Sequence, residues 1–141
     1  MKNYESGFVM TRREARDTAF GLIFAKEING LDVDEILETA AESGEIKIND
    51  YVKETFAGVW NNIDEIDKII EELSVSWNIK RLSKVSLAVL RLAIYEIKYV
   101  ESIPVSVSIN EAVEITKKYS TKDDASFVNG LLSSLAKKNN E

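Results

Sequence analysis

Three arginines near the start of the chain, Arg12, Arg13 and Arg16, are the residues whose type and spacing could engage a polyanion. At about 100° per residue they fall within about a quarter turn of one another, on the side of a helix that continues as Phe20, Ile23 and Phe24. Guanidinium groups suit phosphate by bidentate geometry and nucleobases by stacking. Cations at a helix N-terminus oppose the helix dipole, so three of them point to an external anion. A solvated first turn is the competing reading. A second set recurs at seven-residue spacing, Lys84, Arg91 and Lys98, with Tyr95 one turn beyond Arg91. It forms a narrow basic and aromatic strip on an otherwise apolar rod. Phosphates could lie on its cations and a base against its ring; equally, it could be the helix's wet edge, with long stems lying along apolar neighbours.

Further on, Ser126, Asn129, Gly130, Ser133 and Lys137 share one side of a helix whose other side, Phe127, Val128, Leu131, Leu132 and Leu135, is apolar. Small polar side chains let a nucleotide or a neighbouring helix approach closely. The Asn129 amide can both donate to and accept from a base edge, or it can bond a loop carbonyl. Glu111, Glu114 and Lys118 read as a solvated pair network.

These groups must be positioned by helices. The chain has one Pro, and long stretches repeat apolar residues at helical period, which predicts seven helices. The first starts at Thr11, where Thr11-Arg12-Arg13-Glu14 has capping-box form, and ends near Asn29-Gly30. The second runs from about Asp34 to Ser43-Gly44. Asn49 caps a third through Trp60, and Asn61-Asn62 breaks or kinks the chain before a fourth, Ile63 to Leu73. The fifth, roughly Ser83 to Val100, is apolar nearly all round, as befits a helix surrounded by others. Pro104 forces an extended turn, and Ser108-Ile109-Asn110-Glu111 offers a capping box for a sixth helix to about Tyr119. Asp123 or Asp124 begins the seventh. Trp60 and Trp77 read as core or interhelix anchors. Residues 1–9 read as a loose extension and 10–141 as one domain, with Met10 a second candidate start.

Composition narrows the chemistry. The chain has 141 residues, no Cys and no His, which excludes disulfides, thiolate or imidazole metal sites, cysteine nucleophiles and His-based triads. No acid pair sits in an apolar context suited to acid–base work, and there is no phosphate-cradling Gly-rich loop. The expectation is a non-enzyme without cofactor or metal. No apolar run approaches the roughly 20 residues of a membrane span, and no signal-peptide core is present, so the expected location is the cytoplasm. The net charge of −6 argues against a broad nucleic-acid-binding surface. Any polyanion site is local, around residues 10 to 16, and of modest affinity without a partner.

Three stretches in this order and spacing, Leu87-Ala88-Val89-Leu90-Arg91-Leu92-Ala93-Ile94-Tyr95-Glu96, Ile103-Pro104 through Ile109-Asn110-Glu111-Ala112, and Phe127-Val128-Asn129-Gly130, closely resemble the NusB family of bacterial transcription antitermination factors. The resemblance covers roughly residues 10 to 138. It implies an all-α fold of two packed helical subdomains. It also implies RNA binding to the single-stranded boxA element of ribosomal leader transcripts, within an RNA polymerase antitermination complex. The implied protein partner is NusE, a small-subunit ribosomal protein. Carried over position by position, the RNA face takes Arg12, Arg13, Arg16, Arg91, Phe127 and Asn129, to which the basic strip adds Lys84 and Tyr95; the partner surface takes Phe24 and Asp123. Family members occur as monomers and as dimers. Glu14 interrupts the arginine run, Gly21 stands where a Gln is common, and Ser86-Leu87 replaces a common acidic-then-basic pair that contributes to the partner contact. An accessory domain of an rRNA cytosine methyltransferase, and a helical interaction module without RNA, are the alternative readings.

Overall fold

A computed structural model describes residues 10–74 and 79–139. Among them the regular structure is helical: α1 (Arg12–Asn29), α2 (Val33–Ser43), α3 (Asp50–Asn61), α4 (Ile63–Leu73), a single 3₁₀ turn (Ile79–Arg81), α5 (Lys84–Tyr99), α6 (Val105–Tyr119) and α7 (Lys122–Asn139). Residues 1–9 and Trp77 lie outside the described residues.

Local chemistry explains most boundaries. At the start of α1 the Glu14 amide donates to Thr11 Oγ1 at 3.0 Å and the Thr11 amide to Glu14 Oε1 at 2.8 Å, the reciprocal capping box. The helix ends at Gly30, whose φ of 68° lies in the left-handed region that glycine enters without steric penalty. Asn49 caps α3 by accepting from the Val52 amide, and Ser83 caps α5 by accepting from the Ser86 amide. A single residue, Asn62, separates α3 from α4.

The sixth helix corrects the sequence reading. It begins at Val105, with Pro104 extended at its N-cap position (ψ 138°), three residues ahead of the Ser108 box. Pro fits a helix start because the missing N–H would have had no intrahelical partner there. Ser108 is instead buried and its hydroxyl donates to Glu96 Oε1 at 2.8 Å, so it has a tertiary partner rather than a capping role.

Helix α5 is the axis of the molecule. Every residue from Ser86 to Ile94 is buried, and α5 packs against α1, α3, α4, α6 and α7. Each of its fully buried Leu, Ile and Val side chains contributes about 1.5–3 kcal/mol. The surrounding core comes from Ala19 and Ile23 of α1, Val52 and Phe56 of α3, Ile66 and Ile70 of α4, and Val128 and Leu132 of α7. The α7 stripe of Val128, Leu131, Leu132 and Leu135 is buried, whereas Ser126, Asn129, Gly130, Ser133 and Lys137 are exposed. Helix α3 meets α5 where a Cβ on Gly58 would run into the Tyr95 ring. Gly58 is therefore the glycine that close approach demands, while a Cβ on Gly130 would meet open space.

Candidate nucleic-acid interface

The first turn of α1 places its arginines in three different environments. Arg12 is exposed and its guanidinium lies over the Tyr51 ring, 4.6 Å from the centroid, a cation–π contact. Among the described residues no carboxylate pairs with it. Arg13 is 73% exposed in its side chain, yet its Nε and Nη2 donate to the two oxygens of Glu111 at 3.0 and 2.6 Å.

Arg16, grouped by the helical wheel with Arg12 and Arg13 as a polyanion contact, lies inside the protein: it is 4% exposed. Its Nε and Nη2 donate to Glu96 Oε2 and Oε1 at 2.9 and 3.1 Å, and its Nη1 lies 3.7 Å from Glu111. The reason is Glu96, an acid on a helix buried on all sides. A buried carboxylate must be paired and hydrogen-bonded to be tolerated. Arg16, Ser108 and the Tyr51 hydroxyl all donate to it. Burial, together with the adjoining Glu96 charge, pushes the Tyr51 phenol well above its usual range. Tyr51 thus stays neutral, a fixed platform beneath Arg12.

The pair network expected of Glu111, Glu114 and Lys118 is also corrected. Glu111 is buried and belongs to the arginines; the Arg13 hydrogen bonds hold its carboxyl below the usual range against the opposing effect of burial. Glu114 pairs with Lys117, and Lys118 with Asp17.

The strip on α5 does not form. Lys84 and Lys98 are exposed, but Arg91 between them is 5% exposed and Tyr95 is half-buried against Gly58. Seven-residue spacing does keep the cations on one face. That face is covered at Arg91 because α1 and α4 each supply a carboxylate. Arg91 donates to Asp67 through Nε and Nη2 at 2.9 and 2.8 Å and to Glu27 through Nη1 at 2.6 Å, and lies over the Trp60 ring at 5.0 Å. Lys84 shares Glu27 at 3.4 Å. Burial raises the Glu27 carboxyl, but hydrogen bonds from Arg91 and Lys84 outweigh it and leave the group below its usual range. Since Arg13 and Glu27 stand fourteen residues apart on α1, Lys84 is about 20 Å from the arginine turn along the helix.

The remaining candidates lie on two other surfaces. Phe24 lines an apolar groove of about 360 Å³ with Asp17, Phe20, Gly21, Val85 and Tyr119; the Tyr119 ring stacks on Phe20 at 5.2 Å. Asp123 is exposed in the first turn of α7 and is not part of that groove. Asn129 lies in a mixed cleft between α6 and α7 of about 740 Å³, lined also by Lys117, Ser120, Lys122 and Ser126 and by the apolar Val113 and Ala125. Phe127 is half-buried against the core. No cluster of His, Cys, Asp or Glu able to hold a metal ion occurs among the described residues, and none of their helices is long and apolar enough to cross a membrane.

With this geometry in view, comparison with known proteins is decisive. The family model described as NusB family matches residues 13–137. The chain belongs to the NusB family. Transcription antitermination protein NusB of Ruminiclostridium cellulolyticum is 47% identical over 130 residues, 91% of this chain and 90% of that protein. Among solved structures, T. maritima NusB superposes with a TM-score of 0.80 at 36% identity, covering 92% of this chain and 93% of that one. NusB in a crystal structure of antitermination factors NusB and NusE in complex with dsRNA matches with a TM-score of 0.80 at 32% identity, covering 90% of this chain and 96% of that one. NusB proteins are antitermination factors rather than enzymes, and the all-α NusB-like fold expected from the motifs is the fold observed.

Proposed function

We propose that this NusB-family chain is a transcription antitermination factor that binds boxA-like single-stranded RNA of ribosomal leader transcripts together with NusE, as part of an RNA polymerase antitermination complex in the cytoplasm. The observation that carries this reading is the likeness, over nine-tenths of the chain, to NusB seen with NusE and RNA. The α1 turn supports it chemically: Arg12 and Arg13 are exposed guanidiniums able to hold phosphate, and Asn129 offers an exposed amide for a base edge. Phe127 and Tyr95 are half-buried, which leaves each only part of its ring for a base. Arg16 supports that turn from within, holding Tyr51 through Glu96, and Arg91 fastens the far end of α1 through Glu27. The apolar groove at Phe24, with Asp123 beyond it, is the surface assigned to NusE.

The test is an equilibrium titration of a boxA-like strand, its scrambled counterpart and a duplex of the same sequence, on wild type and Arg12→Ala. Preference for the boxA-like strand, weakened by Arg12→Ala, supports the reading. Equal affinity for the scrambled strand removes the sequence specificity, and preference for the duplex removes the single-stranded ligand.

A further inference from the structure

Arg13 is both exposed and held. The two hydrogen bonds to Glu111 use Nε–H and one Nη2–H, which is the side edge of the guanidinium. A guanidinium has five N–H donors; five less two leaves three, the pair on Nη1 and the second on Nη2. One Nη1–H and the second Nη2–H form the end edge, which can take a further oxyanion bidentately. Exposure agrees with this division, because the Arg13 side chain is 73% exposed while Glu111 is 10% exposed.

Glu111 is fastened from behind. Arg16 Nη1 lies 3.7 Å from it, and Arg16 is itself pinned to Glu96, the carboxylate that also receives Tyr51 and Ser108. That charge behind it opposes an outward swing of the carboxylate with a ligand. Arg13 and Glu111 form part of a groove of about 410 Å³ whose other lining includes Glu14, Asp17 and Glu114. Those acids repel a phosphate from the groove floor, so a phosphate meets Arg13 at its outer edge.

We propose that Glu111 is a positioning residue for RNA: it locks Arg13 with the Nη1–Nη2 edge facing outward for one backbone phosphate, and remains bonded to Arg13 in the complex. The inference rests on the RNA-binding reading above. Rotamer freedom that a loose arginine loses on binding is here lost already on folding, which favours association. Simple charge counting predicts the opposite sign, since an anion near a phosphate repels it within a Debye length. The two accounts therefore separate experimentally.

The experiment is a titration of a short single-stranded boxA-like RNA at fixed salt with wild type, Glu111→Gln, Arg13→Ala and the double variant, each checked by circular dichroism. Positioning predicts that Glu111→Gln weakens binding about fivefold to tenfold when Arg13 is present and does not weaken it when Arg13 is Ala, the coupling expected of contacting residues. Tightening by Glu111→Gln in both backgrounds overturns the proposal. No change on Arg13→Ala overturns the placement of RNA at Arg13 itself, a separate failure. If Glu111→Gln does not fold, Arg13→Lys replaces it, because Lys keeps the charge but not the fork; wild-type affinity in that variant overturns the proposal.

Discussion

Arg91→Ala removes a guanidinium that joins α1, α4 and α5 at one point. Its side chain is 6% exposed, with Asp67 at 2.8 Å and Glu27 at 2.6 Å. The substitution leaves those two carboxylates without their shared cation and opens a void beside Trp60. Breaking a buried ion pair by removing one partner costs about 3–5 kcal/mol. Glu27 and Asp67 keep 23% and 24% of their side-chain surface in water and can partly rehydrate, which places the loss near the lower end, about 3 kcal/mol. For a domain of this size that corresponds to a fall in Tm of about 10 °C. The assay is thermal and urea denaturation of wild type and variant, paired with a salt series on RNA binding at a temperature where both are folded. The slope of log K against log salt should be unchanged, because Arg91 is already neutralised by protein carboxylates. Retained stability together with a slope flattened by about 0.7, the contribution of one single-strand phosphate contact, would refute the burial argument and return Arg91 to the RNA surface.

Glu96→Gln should lower stability by about 3 kcal/mol or more, since it strands the Arg16 charge in the core; an unfolding midpoint equal to wild type would contradict the pairing. Arg12→Ala should flatten the salt slope by about 0.7 while leaving the urea midpoint within about 0.5 kcal/mol of wild type, as expected of an exposed cation on an aromatic ring. The Glu27 and Glu111 carboxyls are depressed in the folded state, so their stabilisation is present above the unfolded value of about 4.3 and is lost as pH falls through the lower folded values. With no His in the chain, urea midpoints should be level between about pH 6 and 8 and drop below about pH 4; a drop already near pH 6 would contradict this assignment. Thr11→Ala should cost about 1 kcal/mol by opening the α1 capping box, and Glu14→Gln, which can still reach back to the Thr11 amide, should cost less; equal losses would deny the side-chain cap its role.

Helix boundaries were legible where a single side chain decides them. Thr11, Gly30 and Asn49 sit at the ends their chemistry predicts, and the nearly all-round apolar pattern of α5 correctly announced a surrounded helix. Failures came where a polar side chain has a partner distant in sequence. Ser108 and Glu111 have capping-box spacing, yet Glu96 and Arg13 claim them from α5 and α1. Arg16 and Arg91 have the periodicity of an exposed edge, and their burial depends on Glu96, Glu27 and Asp67, up to 80 residues away. Glu96 carries a further signal: it lies on a mostly apolar helix, and a buried acid requires a cation. Tyr51, the platform for Arg12, carried no local signature, because its position follows from α1 packing on α3.

In the function proposed above, RNA and NusE are coupled ligands of this chain. That coupling is tested most directly by titrating a boxA-like RNA against the full chain with and without saturating NusE, and then titrating NusE with and without saturating RNA. The predicted result is weak RNA binding to the chain alone, consistent with its net charge of −6, and tightening by about 1–3 kcal/mol when NusE is present. The same increment should appear in the reciprocal titration. RNA affinity that is identical with and without NusE would contradict the account.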